Sequence, residues 1–291
     1  MKKILFVTGF QKSGTSLLNR LLMSQNFIEN PFLPEGKFFW GDDPVENPTS
    51  QPCGEIYQKH KAKQGHQLYK NDYSDNHKVL LWQRIYEVSV KQDILMNKNP
   101  NLIVRLPWLR RVFPESKVVV MLRKPIPNIY SFSKKLYNDK QTNPEYWWGV
   151  KPNNWQSMIH EDMIVQIVSQ WKSVFTSLLK DIDNVDLFIR YDKLCENPLL
   201  HLEKVLELAE VDKNRACLNI EKFKCMDNEY KEGGNIQSNN VYLRKENTFQ
   251  IPNQENRINY KPLDKSNIEY IKQETESIWR DLQRLVRTKM V

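Results

Sequence analysis

A short apolar run at 4–8 leads directly into Gly9-Phe10-Gln11-Lys12-Ser13-Gly14-Thr15-Ser16, and a helical pattern follows at once. Leu17, Leu18, Leu21 and Leu22 give that pattern its spacing. A buried strand, a loop with glycines five residues apart and a helix allow few local structures. The backbone N–H groups of such a loop, with the open first turn of the helix, form a concave site for a phosphate-like anion. A plain glycine turn with a surface lysine is the competing reading. The flanking strand and helix, and the density of Lys, Ser and Thr in the loop, weigh against it.

The same alternation continues along the chain. A helix is expected over 79–91, a short strand at 93–97 and a helix over 101–113 interrupted by Pro107. The clearest strand is Lys117–Leu122, followed by a helix at 127–137, an amphipathic helix at 162–179 and a strand at 185–190. Two further helices are expected at 198–209, with Pro198 in its first turn, and at 264–288. Alternating units of this kind predict a three-layer α/β fold, a central parallel sheet flanked by helices. Ligands then sit at the carboxyl ends of the strands. The 291 residues are expected to form one domain. The stretches 138–158 and 226–262 break the pattern and read as lid, acceptor-binding or flexible loops. For Trp147, Trp148 and Trp155 in the first stretch, a lid, a sugar-stacking platform and core packing all remain open.

Charge narrows the partners. Lysine and arginine number 43 against 35 aspartates and glutamates, an excess of +8 that suits an anionic partner. A nucleotide, an acidic glycan and nucleic acid would each qualify. Basic residues are spread along the chain, with only a short cluster at 105–111, which argues against nucleic acid. The four cysteines show no CxxC spacing, and the five histidines no metal-ligand spacing, so a reducing, cytoplasmic setting without a metal centre is expected. The apolar run after Met1-Lys2-Lys3 is too short for a signal peptide, and no stretch reaches the ~18 apolar residues of a membrane helix. Oligomeric state is not legible in the sequence.

The loop fits the nucleotide-triphosphatase pattern GxxxxGK[ST] except that Thr15 stands where lysine is required, and the lysine is at Lys12. An ATP or GTP enzyme needs that lysine and a hydroxyl ligand for Mg²⁺. Gln11-Lys12-Ser13-Gly14-Thr15-Ser16 instead resembles the 5'-phosphosulfate loop of PAPS-dependent sulfotransferases, although Gln11 replaces the common proline. The strand Lys117–Leu122 ends in Arg123-Lys124-Pro125, with Ser131 eight residues after Arg123, which is similar to the family's 3'-phosphate motif. Resemblance therefore implies a P-loop NTPase-like fold, PAPS as donor, PAP as product, and no required metal. It implies 5'-phosphosulfate contacts at Gln11, Lys12, Ser13, Gly14, Thr15 and Ser16, and 3'-phosphate contacts at Arg123 and Ser131. Tyr191, opening Tyr191-Asp192-Lys193-Leu194, resembles the family's tyrosine near the adenine, and Arg244-Lys245 resembles its Arg-Lys-Gly closure over the 3'-phosphate, with Glu246 in place of glycine.

Cytosolic members carry a histidine base in a Lys-Thr-His segment. The corresponding stretch here is Asn97-Lys98-Asn99-Pro100, so that histidine is missing. Glycan- and tyrosine-modifying members use a glutamate, and Glu35, ahead of Phe38-Phe39, is the matching residue. By resemblance Lys12, Glu35 and Lys98 are the catalytic candidates, with Lys98 on the sulfuryl oxygens and Lys12 on the bridging oxygen. A hydroxyl- or amine-bearing acceptor of glycan, lipid or peptide type is implied. The alternatives are a P-loop kinase and a non-enzymatic polyanion binder.

Overall fold

The computed structural model describes residues 3–32, 35–40, 65–88, 92–216, 263–286 and 289. Arg244, Lys245 and the stretch 226–262 lie outside the described residues. Five strands form one parallel sheet: β1 (Lys3–Gly9), β2 (Ile28–Glu29), β3 (Ile94–Lys98), β4 (Lys117–Leu122) and β5 (Leu187–Arg190), in the order β2-β3-β1-β4-β5. The helices are α1 (Thr15–Met23), α2 (Lys37–Trp40), α3 (Asp75–Glu87), α4 (Leu106–Val112), α5 (Pro125–Thr142), α6 (Met163–Lys180), α7 (Tyr191–Glu196), α8 (Pro198–Leu208) and α9 (Lys265–Leu285).

The strands are apolar on both faces because helices cover both faces. Successive residues alternate between two cores. Ile4, Phe6, Leu95, Val118, Val120 and Phe188 pack under α3, α4, α5, α6 and α9. Leu5, Val7, Met96, Val119, Met121 and Ile189 pack under α1, α7 and α8. Each such side chain, when fully buried, contributes about 1.5–3 kcal/mol. The three-layer α/β architecture expected from the alternation is the one observed.

Several boundaries differ from expectation, each for a local reason. The helix expected at 79–91 begins four residues earlier, at Asp75, because Ser74 caps it by accepting from the His77 N–H. The helical stretch at 101–113 divides at Arg105, not at Pro107: a 3-10 turn, Pro100–Val104, precedes α4. Pro107 sits in the first turn of α4, where a missing N–H costs nothing. Helix α5 starts at Pro125 for the same reason and runs on to Thr142, into the stretch expected to be a loop from 138. Tyr191 opens a short helix directly after β5.

Register sets what the sheet's carboxyl edge displays. Val7 of β1 pairs with Lys98, and Gly9 with Met121. Leu122 pairs with Arg190, so the next residues of the two chains, Arg123 and Tyr191, emerge side by side. On the helical layer, Asp162 caps α6 by accepting from the N–H groups of Ile164 (2.7 Å) and Val165 (3.2 Å). Asp162→Ala should therefore cost about 1 kcal/mol. Urea unfolding should show a lower midpoint at unchanged slope, and an unmoved midpoint would show that the cap contributes nothing.

Candidate active site at the carboxyl edge of the sheet

The loop after β1 is held in one shape by backbone contacts. Lys12 adopts φ 63° and Gly14 φ 104°, both in the left-handed region. A Cβ at Gly14 would overlap the ring edge of Tyr191, and one at Gly9 would lie 2.6 Å from the Met121 carbonyl and the Ser13 hydroxyl. Two side chains from the other half of the sheet grip the loop's carbonyls. Arg123 donates to the Lys12 carbonyl (3.0 Å), and Asn128 of α5 donates to that of Gln11 (2.8 Å). The Arg123 guanidinium also lies over the Tyr191 ring, 4.4 Å from its centroid.

Several of the loop's polar side-chain atoms meet no protein group. Ser13 Oγ, both amide atoms of Gln11, Arg123 Nε and Asn128 Oδ1 are buried without a hydrogen-bond partner. Such atoms are costly unless a ligand or water meets them. No side chain caps the first turn of α1, where Thr15 is buried and Ser16 exposed, so its N–H groups face the loop. Ser131 lies half-buried on α5, one turn after Asn128.

Electrostatics agree. Burial pushes the Lys12 ammonium below the usual lysine pKa, and the charges of Lys135 and Arg123 push it further. Among the described residues none of these three cations has a carboxylate partner. The nearby carboxylate, Asp192, is committed elsewhere. Burial alone would raise its pKa, but Arg190, bonded to both its oxygens, and Lys124 at 3.7 Å hold it below the ordinary range.

On the other side of β1, Lys98 and Glu35 meet in a hydrogen-bonded ion pair, Lys98 largely buried and Glu35 about one-third exposed. Glu35 itself has φ 61°, followed by Gly36 at φ 65°. A non-glycine residue in this region costs of order 1–3 kcal/mol. Packing holds it there: a Cβ at Gly36 would sit 2.6 Å from the Asn97 amide, whose oxygen accepts from the Trp40 indole (2.7 Å). Asn99, next to Lys98, is buried and accepts from the Asn101 N–H.

The tryptophan-bearing stretch is ordered by buried polar side chains. Lys140 donates to the carbonyls of Pro144 and His160. Gln166 donates to the Tyr146 carbonyl (3.0 Å), and Gln170 to those of Trp148 (3.1 Å) and Val150 (2.7 Å). The Lys151 N–H donates to His66 Nδ1 (3.0 Å), and the Lys151 carbonyl accepts from the His66 N–H (2.7 Å). Trp147 packs edge-on against Trp155, while Trp148 packs on Phe132 and turns toward Lys12. Asn128, Lys135 and Gln170 escaped the sequence reading, and Trp148 was singled out there without a link to Lys12. Asn128, Ser131 and Lys135 are spaced i, i+3, i+7 on one helix face, a signal that could have located two of them. Among the described residues no group of His, Cys, Asp and Glu is arranged to hold a metal ion, and no helix is long and apolar enough to cross a membrane.

Residues 5–215 match the family model described as "Sulfotransferase family". Among solved structures, a sulfotransferase from Alicyclobacillus acidocaldarius is similar at 14% identity and a TM-score of 0.51, covering 98% of this chain and 96% of that one. Sulfotransferase STF1 from Mycobacterium tuberculosis H37Rv matches at 13% identity and a TM-score of 0.44, covering 95% of this chain and 77% of the other. Sulfotransferase STF9 from Mycobacterium avium matches at 12% and 0.45, covering 95% and 76%. No curated protein matches this chain.

The Gly14–Tyr191 contact is directly testable. Gly14→Ala should destabilise the fold by about 2 kcal/mol or more, from the strained φ together with the overlap. Combined with Tyr191→Ala, the penalty should shrink, because the overlap is relieved. Additive losses in a double-mutant cycle would show that the two residues do not touch.

Proposed function

The chain belongs to the sulfotransferase family, and on that premise we propose that it moves a sulfuryl group from PAPS to a hydroxyl or amine acceptor by in-line displacement. The observation that carries the reading is the loop after β1. Three cations that have no carboxylate partner among the described residues, Lys12, Arg123 and Lys135, surround buried polar side-chain atoms without a hydrogen-bond partner. That arrangement suits a ligand with more than one anionic group, and Thr15 in place of the Walker lysine disfavours a nucleoside triphosphate.

PAPS supplies a sulfuryl group on a phosphosulfate bridge, together with a 3'-phosphate. In this reading the loop from Gln11 to Ser16 holds the 5' end through its N–H groups and the Ser13 hydroxyl. Arg123 and Ser131, on the β4 side, hold the 3'-phosphate, and Tyr191 flanks the base. Lys12 supports the charge that develops on the departing phosphate. Glu35 takes the acceptor proton, and its ion pair with Lys98 fixes its orientation while leaving Lys98 beside the reacting groups. The stretch Asn97-Lys98-Asn99-Pro100 lacks the histidine of the Lys-Thr-His segment, with Pro100 in its place, which supports a glycan, lipid or peptide acceptor over a small phenol. We read the chain as one catalytic domain, since α9 packs on α5 and α6, and as a cytoplasmic protein from its cysteine pattern.

Calorimetry decides the reading first. PAP should bind tightly without metal, and AMP far more weakly; preference for ATP with Mg²⁺ would indicate a kinase instead. Arg123→Ala should weaken PAP binding ~10–100-fold, the loss of a charge-assisted contact. Unchanged affinity would remove Arg123 from the site. Glu35→Gln should lower turnover about 10²–10⁴-fold while PAP still binds. Retained turnover would place the base elsewhere.

Lys12 gives a pH signature. Its pKa is depressed in the protein, and a bound polyanion favours the ammonium, so the pKa rises on binding. Above the depressed value, PAP binding should therefore take up protons, and affinity should fall as pH rises through it. Calorimetry in buffers of different ionisation enthalpy reads this directly. Proton release in that range would contradict a cationic Lys12 at the anion.

A further inference from the structure

We infer that Trp148 is a positioning residue for Lys12, with its indole face holding the ammonium at the anion site. The inference rests on the sulfotransfer reading and adds a residue to its machinery.

Lys12 Nζ lies 5.7 Å from the centroid of the Trp148 ring, within the range of a cation–π attraction. Lysine is a flexible four-carbon stem ending in a point charge, so the backbone of the loop does not by itself aim the ammonium. A carboxylate would hold it, but would also neutralise the charge that an anionic ligand needs. An aromatic face attracts the ammonium while leaving its charge in place. Lys135 from α5 and Arg123 after β4 repel Lys12, and the attraction to the ring offsets part of that repulsion.

Trp148 is itself fixed to the loop. A Cβ at Gly149, which has φ 88°, would overlap the Gln11 side chain, so the Trp148–Gly149 backbone is pressed against the residue preceding Lys12. Gln170, fully buried on α6, donates to the carbonyls on either side of Gly149, those of Trp148 and Val150. The indole then rests edge-on against Phe132 at 5.1 Å. A buried glutamine, a glycine and an aromatic stack thus agree on one position for the ring. No such investment is needed for a surface tryptophan.

The experiment compares Trp148→Leu, which keeps apolar bulk, with Trp148→Phe, which keeps an aromatic face. In steady-state kinetics Trp148→Leu should lose about tenfold in kcat with a smaller change in KM for the donor, and Trp148→Phe should recover most of it. A purely structural role would treat leucine and phenylalanine alike, and that result would overturn the inference. Reductive ¹³C-methylation of the lysines, with Lys12→Arg to assign the signal, supplies a readout independent of turnover. The Lys12 signal should be ring-current shifted in the natural protein and in Trp148→Phe, and unshifted in Trp148→Leu. Its titration midpoint should fall further in Trp148→Leu. A wild-type protein that transfers no sulfuryl group would sink the sulfotransfer reading, while the Lys12 signal would still report whether Trp148 holds it.

Discussion

Gly14 lies so close to the Tyr191 ring that no side chain fits between them, and this contact ties the loop after β1 to the helix after β5 across the end of β4. The parallel register makes it possible. Because Leu122 and Arg190 are paired, Arg123 and Tyr191 leave the sheet together and both reach the loop, one through a hydrogen bond and the other through its ring. The loop's left-handed residues are thereby held from outside rather than by their own propensities. The same packing leaves the Ser13 hydroxyl and the Gln11 amide buried without a hydrogen-bond partner.

Charge is distributed to match. Acidic side chains near the site are occupied: Asp192 by Arg190 and Lys124, Glu35 by Lys98. The cations at the loop are left uncompensated among the described residues, which raises the potential there and adds to the burial that lowers the pKa of Lys12. The Glu35–Lys98 pair, on the opposite side of β1, combines a carboxylate and an ammonium in a partly buried setting. Two chemically distinct clusters thus flank the central strand, one of uncompensated cations and buried polar atoms, the other a paired carboxylate and ammonium.

Much of this was legible along the chain because it is local. The strand–loop–helix at 4–24 and the Arg123-Lys124-Pro125 turn are contiguous, and their chemistry is written in their own residues. The polar anchors of the tryptophan stretch were not legible. Gln166 and Gln170 sit on an otherwise apolar face of α6, where a glutamine reads as an interruption. Their function depends on carbonyls some twenty residues away in sequence, brought close only by folding. Lys140 similarly reads as a solvated helix residue, yet it is buried and bonded to two carbonyls.

Periodicity and spacing by themselves determined the three-layer α/β fold, since strands apolar on both faces require helices on both sides. They also determined that a glycine-bearing loop joins β1 directly to α1. Which residues meet there was decided only in three dimensions. Strand order and register, set by the packing of two separate cores, bring Tyr191 to Gly14 and Arg123 to Lys12, residues far apart in the chain. The pairing of Glu35 with Lys98 has the same origin, for a one-residue change in register would turn Lys98 to the opposite face of the sheet.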